Sequence, residues 1–576
     1  MSFLRKIVDL LDKKNRRRIW FILLGMLFSS FLEGVGLSGI PLYINTIFNN
    51  GSGVGEVGQY IDRFKEWSGG NFVLLFSLLI FLFYLFKNGV YYILKYLTYL
   101  FILKYKTTLE TTLLNKFIVT PYLSQISNNS SYYINTIRDA DLFINKVLLP
   151  FVNSIMDFLI IVSIVVVLVF QLPVSLIFLL VAVVAVSFLL ISFLRKKMKV
   201  LGGREIKYRQ HVIKVLNETF MLNKEIHVFQ NYGFFSKRFH SIANDLNRTF
   251  FYHGRLNNGI KPLMEIVSIL ILVVIVLYFV WHPQESMMGI LALLAVALVK
   301  MLPSLQTLTT SINSIQYQLP VMNNIHAILK EDKQEFDEMN EKISASSSIH
   351  FDKVAFDQVS FNYTDKSAAA LKDVNVTIKK NDVVGIIGTS GAGKSTFIDL
   401  ILGLMNSTHG NILIDAKPLR EVVYNWRSNI GYVPQNLNLL DDTVKNNILF
   451  GRDYDAERFE YALKYSGVSS FFNVLENGVE TQVGERGIKV SGGQKQRIGI
   501  ARALYNKPEL LIFDEATSSL DMESEELITD TIRALKNQIT VLIISHRYPV
   551  LKYCDFILEL EKGQVKKSYT YQELVN

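Results

Sequence analysis

Residues 383–404 read VVGIIGTSGAGKSTFIDLILGL. The apolar run Val383 to Ile387 predicts a buried strand, and the periodic apolar stretch Phe397 to Leu404 predicts a helix. Between them Gly388-Thr389-Ser390-Gly391-Ala392-Gly393-Lys394-Ser395 fits G-x-x-x-x-G-K-[ST], and Thr396 opens the helix. Strand, glycine-rich loop and helix in this order turn backbone N–H groups toward a helix N-terminus, where polyphosphates bind. In that arrangement Lys394 neutralises β/γ oxygens and the Ser395 hydroxyl takes a Mg²⁺ position. A chance glycine-rich turn would lack the flanking strand and helix.

Downstream, short apolar runs at Leu510 to Phe513 and Ile539 to Ile544 alternate with helical segments, which predicts a mostly parallel α/β sheet over residues 349–576. Leu510-Leu-Ile-Phe-Asp514-Glu515 is an apolar strand ending in two acids. Such a pair can cap a helix, but behind a phosphate-binding loop Asp514 holds Mg²⁺ through water and Glu515 polarises the attacking water.

Upstream the composition changes. Of 576 residues, 50% are apolar and 19% charged, too few charges for a wholly soluble chain. Six apolar stretches are long enough to span a bilayer: Ile19 to Ile47, Phe72 to Leu103, Val147 to Gln171, Val174 to Leu194, Ile260 to Trp281 and Met287 to Leu308. The first is too long for a cleaved signal and has no A-x-A-like site. The third and fourth form a hairpin about Gln171-Leu172-Pro173. Seven basic residues before Ile19 and the basic stretch Arg195 to Lys214 place both termini inside, because the 171–173 and 282–285 loops carry no Lys or Arg. The long connections 104–146 and 195–259 are rich in helix formers and predict helices continuing beyond the membrane. The domains are therefore an α-helical membrane domain at 1–330, a charged, serine-rich linker at 331–348 and the α/β domain at 349–576. The net charge of +9 fits nucleic acid, an anionic leaflet or positive loops equally, and the lone Cys554 has no disulfide partner or metal-ligand spacing.

Val490-Ser491-Gly492-Gly493-Gln494-Lys-Gln-Arg497 resembles the signature motif of ATP-binding cassette (ABC) proteins. Tyr363, Gln435 in Tyr-Val-Pro-Gln, Thr481-Gln-Val-Gly-Glu485, Ser519-Leu-Asp521 and His546 follow in the family's order, with Val490 for the usual leucine and Ser519 for the common alanine. The resemblance implies that Tyr363 stacks on adenine, that Gln435 joins Ser395 and Asp514 at Mg²⁺, and that His546 works beside Glu515. It implies also that two cassettes pair head to tail, with Ser491, Gly492, Gly493, Gln494 and Asp521 meeting ATP held by the other chain. Together the two halves are similar to exporters in which the membrane domain is fused ahead of the cassette. All cassette motifs are intact, so a homodimer in a bacterial cytoplasmic membrane is expected, with the ATPase domain inside. Six spans argue against a soluble-type cassette acting on nucleic acid or the ribosome; a channel or regulator gated by ATP is a rarer alternative. Short docking helices are expected near Tyr122 to Ser131 and Thr219 to Phe229.

Ionisable residues within spans are costly and therefore face a cavity or a partner. Here they are Glu33, Lys87, Asp157, Lys261, Glu265 and Lys300, and Glu33 could simply pair with Lys87. Glu33, Lys87, Lys261, Glu265 and Lys300 resemble the cavity of bacterial lipid-linked oligosaccharide flippases, with three lysines where that family carries arginines. Tyr60, Ile61, Phe64 and Trp67 fall on one helical face in the first outer loop, and those flippases carry a comparable external helix. The expected substrate is a polyprenyl-pyrophosphate glycolipid, with export of peptide, lipid or drug as the alternative.

Overall fold

The computed structural model describes all residues except 1–2, 49–55, 69–70, 128–129, 172–173, 282–286, 331–334, 345–348, 365–367, 471–476, 485–486, 516–521, 546 and 576. The chain divides into two compact units, Met1–Ile118 with Asn128–Lys333, and Val119–Ser127 with Gln334–Asn576.

In the first unit every expected span lies on a helix: Lys13–Phe48, Phe72–Val119, Leu149–Gln171, Val174–Met221, Ile260–Trp281 and Met287–Lys330. Five stretches of described residues are long and apolar enough to cross a bilayer. The fourth expected span lies on Val174–Met221, where side chains 174–184 are outside the description. The apolar window of Phe72–Val119 is only 6% buried, so the surface it presents is that of a lipid-facing helix. As expected, the long connections are helical, since few breakers interrupt 104–119 or 195–221. Ile102, Leu113, Phe143, Ile144, Val321 and Met322 make a fully buried core in these extensions. Gly202 allows the closest approach of two helices there, because a Cβ at that position would overlap the Tyr317 carbonyl oxygen.

The expected docking segments are shorter than anticipated. Tyr122–Ser127 is a separate helix that groups with the second unit, and a new helix starts at Ser130. The second segment breaks at Leu222 into the end of Val174–Met221 and a helix Asn223–Phe229, closed by Gln230 at φ 53°. Phe220, Met221, Val228 and Phe229 are all more than 65% exposed there. The expected linker is not entirely irregular either: Glu335–Ser344 is helical, since its Glu, Met and Lys residues favour helix and its acids lie toward the N-terminus.

The described residues of the second unit form ten strands: β1 Lys353–Phe361, β2 Leu371–Lys379, β3 Val383–Gly388, β4 His409–Ile414, β5 Lys417–Pro418, β6 Ile430–Val433, β7 Leu510–Asp514, β8 Thr540–Ile544, β9 Phe556–Glu561 and β10 Gln564–Tyr569. Six form a sheet in the order β10-β9-β3-β8-β7-β6, parallel except at the β10 edge. The others form an antiparallel sheet, β2-β1-β4-β5. β3, β7 and β8 are continuous apolar runs because both faces of a parallel sheet are covered. Two cores follow, one around Phe397 and Trp426, the other around Tyr505 and Phe513. Cys554 is a buried core residue whose thiol is pushed up to about 12 by burial, in keeping with a structural role.

Candidate functional site: a phosphate loop, an acidic strand end and a capping box

The loop between β3 and the helix Lys394–Ile401 turns at glycines that admit no side chain. Gly388 has φ 154° and its Cβ would overlap the Leu560 carbonyl oxygen; Gly393 has φ 102° and its Cβ would meet Ala370 O at 2.6 Å. Gly391, at φ 79°, has open space around its missing Cβ. Lys394 is buried, and its Nζ donates to Gly388 O at 2.8 Å and Thr389 O at 3.2 Å. The Ser395 side chain at the helix start is exposed.

Two strands away, β7 ends at Asp514, and Glu515 N donates to Ile544 O at 3.1 Å. Glu515 sits in the left-handed region at φ 46°, an unfavourable conformation for a residue with a Cβ. Its Oε2 accepts from Gln435 Nε2 at 2.7 Å, and its Oε1 is 3.8 Å from Lys394 Nζ. The structure thus gathers Lys394, Gln435 and Glu515, which are far apart in sequence. Asp514 accepts from the Tyr432 hydroxyl at 3.1 Å. Burial raises the Asp514 pKa and Glu515 adds to this, while the Tyr432 hydrogen bond and Lys394 act against it. Asp399, one turn into the loop's helix, is pushed up to about 6 by burial and by Asp514. The Ser395 hydroxyl, which is exposed, the Gln435 amide oxygen and the Asp514 carboxylate are hard-oxygen donors of the kind Mg²⁺ takes, so these residue types fit that ion.

Tyr363 follows β1 and is 39% exposed; its hydroxyl lies 3.0 Å from Thr396 Oγ1 and its ring meets Phe361 edge-on at 5.1 Å. Ser491 caps the helix Gly492–Leu504 in a reciprocal capping box, with Ser491 N donating to Gln494 Oε1 at 2.9 Å. A Cβ on Gly492 would meet nothing within 4 Å. Among the described residues no hydrogen bond or ion pair joins Ser491, Gly492, Gly493 or Gln494 to Lys394. Asp521 and His546 lie outside the described residues.

Sequence reasoning missed Tyr432 and Asp399. Tyr432 lay within the quoted Tyr-Val-Pro-Gln, and its contact depends on β6 lying beside β7 in parallel register, Tyr432 opposite Ile512.

Within the membrane unit Glu33 is the centre of an ion-pair cluster, 2.8 Å from Lys87 Nζ and 3.2 Å from Lys300 Nζ. Lys87 is 2% exposed and lies 4.3 Å from the Tyr84 ring centroid. The pairing of Glu33 with Lys87 that the sequence allowed is present, and Lys300 joins it, while Lys261 and Glu265 are exposed in the single chain on Ile260–Trp281, with no ion pair to the others among the described residues. Residues at 261 and 265 share a helix face. Asp157 belongs to a second group, in which Lys95 Nζ donates to Asn153 Oδ1 at 2.8 Å. The outer-loop segment is a helix, Glu56–Ser68, with Tyr60 and Trp67 exposed and Phe64 against Phe72 at 5.9 Å; the Ile61 side chain is outside the description.

Comparison with known proteins follows the same division. Residues 22–299 match the family described as ABC transporter transmembrane region, and residues 371–518 match the family described as ABC transporter. A multidrug export ATP-binding/permease protein of Staphylococcus aureus strain COL is 43% identical over 226 residues, 39% of each chain. Its counterpart in the bovine strain RF122 / ET3-1 is 44% identical over 220 residues, 38% of each chain. The match therefore spans about two fifths of the length of these curated relatives. A solved bacterial Atm1-family ABC exporter with ATP bound shares the fold at a TM-score of 0.80 and 20% identity, over 98% of this chain and 97% of its own. Residues 22–299 therefore belong to the ABC transporter transmembrane region family and residues 371–518 to the ABC transporter family, the two fused in one polypeptide.

Proposed function

We propose that the chain is half of an ATP-driven exporter, in which two copies hydrolyse Mg²⁺–ATP at paired cassettes and move a membrane-dwelling amphipathic substrate outward. The observation that carries this reading is that Lys394, Gln435 and Glu515 meet at the sheet ends, whereas among the described residues the exposed Ser491 bonds to Gln494 of its own helix and not to Lys394. A second copy placed head to tail would bring its Ser491, Gly492 and Gly493, with Gln494 and Asp521, to the γ-phosphate.

In the assembled site the loop N–H groups and Lys394 bind the phosphates, Tyr363 stacks on adenine, and Glu515, held by Gln435, accepts the proton of the attacking water with His546 beside it. Mg²⁺, when held by Ser395, Gln435 and Asp514, supplies neutralisation of the developing charge. The exposed apolar residues of Phe220 to Phe229 suit docking on a cassette, as does the grouping of Tyr122–Ser127 with the second unit. Positive flanks support a bacterial cytoplasmic membrane with both termini and the ATPase domain inside.

A neutral drug-like amphiphile suits the membrane cluster better than a pyrophosphate, because Glu33 already engages Lys87 and Lys300. A lipid-linked oligosaccharide is the second reading, favoured by the exposed Tyr60 and Trp67 of the outer helix. The deciding experiment uses the purified chain in liposomes, with Glu515→Gln as the hydrolysis control. ATP-dependent movement of a hydrophobic dye by wild type alone supports the first reading, and movement of a lipid-linked oligosaccharide instead supports the second. ATP turnover by Glu515→Gln at the wild-type rate refutes the assigned base.

A further inference from the structure

A large cavity of the membrane unit lies in the helical extensions. It measures about 980 Å³ and is walled by Lys106, Arg138, Lys146 and Arg209 together with polar and apolar residues of five helices. That volume is at the upper end of ligand pockets, which run to about 1,000 Å³. Along the last long helix Lys300 and Tyr317 are 17 residues apart, roughly 25 Å at 1.5 Å per residue, so the cavity is distinct from the Glu33 cluster.

Two independent features of the wall point to a ligand. The first is charge. The three wall carboxylates are already engaged, Glu110 and Asp141 by Lys106 and Glu205 by Arg209, which is held also by Asp139 at 3.2 Å. Arg138 and Lys146 are exposed, and among the described residues no carboxylate pairs with either. They lie two helical turns apart, on one face of the chain. The second feature is a concentration of orphaned polar atoms. Asn135 Nδ2, His253 Nε2, Asn257 Oδ1, Tyr317 OH and Gln318 Oε1 all belong to wall residues, are buried, and have no hydrogen-bond partner among the described residues. Asn135, Tyr317 and Gln318 are at most 4% exposed. Buried polar atoms are almost always satisfied, so five around one cavity mark a site that is completed by something bound there.

We infer that this cavity is a binding site for a small organic anion, whose acidic group is held by Arg138 and Lys146 and whose remaining polar groups satisfy Asn135, Tyr317 and Gln318. Leu142, Val212 and Leu216 give its carbon skeleton an apolar wall. A compound of this kind would brace the extensions of helices on both sides of the cavity, at a position where occupancy can alter the ATPase rate without touching the nucleotide.

The test uses the full-length chain in nanodiscs with 5-carboxyfluorescein as probe, read by fluorescence anisotropy, and the cationic dye rhodamine 6G as its counterpart. Saturable carboxyfluorescein binding that weakens about tenfold in Arg138→Gln/Lys146→Gln and returns in Arg138→Lys/Lys146→Arg supports the site. Both residues are exposed and have no ion pair among the described residues, so the double variant should fold, and its unchanged basal ATP hydrolysis checks this. Lys87→Met should leave carboxyfluorescein binding intact, which keeps this outcome apart from the membrane-cluster reading. No saturable binding, equal binding by the double variant, or rhodamine 6G competing for the same site would overturn the proposal.

Discussion

At the level of single residues, the cassette stores unfavourable local choices where its chemistry is placed. Glu515 adopts a left-handed conformation, and Asp399 and Asp514 keep carboxyls close together in a partly buried site. The folded chain therefore holds the Asp399 proton more tightly than the unfolded chain does. The stabilisation from that proton is complete below the unfolded pKa near 4 and is lost as pH rises through about 6. Asp399→Asn should accordingly stabilise the protein by about 1 kcal/mol at about pH 8 and by roughly half as much at about pH 5, a figure already reduced for partial exposure. Thermal melts at the two pH values check this, and an equal shift at both would refute it. Gly393→Ala should abolish nucleotide binding, since the new methyl group meets Ala370 O at 2.6 Å in a φ that alanine resists. Equilibrium binding of a fluorescent ATP analogue reads this out.

At the level of elements, two neighbouring glycines in Val174–Met221 make opposite predictions. A Cβ on Gly202 would overlap the Tyr317 backbone, whereas one on Gly203 meets nothing within 4 Å. Gly202→Ala should cost about 1–3 kcal/mol by forcing the two long helices apart. Gly203→Ala should be neutral or stabilising by roughly 0.5–1 kcal/mol, as removal of a mid-helix glycine usually is. Melting temperatures of the two variants decide it; similar values would mean that the helices do not pack as described. The helices themselves were legible from apolar runs and the lack of breakers. Their ends were not: the break at Leu222 has no Gly or Pro to announce it, and the helix at Glu335–Ser344 sits in a stretch whose serines suggested irregular chain.

At the level of the whole molecule, the head-to-tail pairing of the proposed reading makes assembly a functional requirement, with Ser491 of one chain serving Lys394 of the other. Lys394→Ala and Ser491→Arg chains should each be inactive alone. Mixed before assembly, they should regain up to about a quarter of wild-type ATP hydrolysis, because half of the dimers then contain one intact site of two. Absence of recovery in co-expressed, co-purified pairs would show that each cassette completes its own site. The outer surface tells the same story, since the apolar window of Phe72–Val119 is 6% buried and the Phe220 to Phe229 segment displays large apolar side chains.

The sequence alone determined the two-part architecture and the phosphate loop, because apolar runs of span length and a glycine-lysine pattern between strand and helix are local signals. It also pointed to Glu515 and Gln435, though not to their hydrogen bond. Only tertiary structure decided which distant groups meet. Tyr432 reaches Asp514 through the parallel pairing of β6 and β7, and Glu33 lies between Lys87 and Lys300, while Lys261 and Glu265 have no ion pair with them among the described residues. The physical reason is that spacing along a helix or strand fixes only the face on which a residue lies, and the neighbour that covers the face is chosen by the packing of elements far away in the chain.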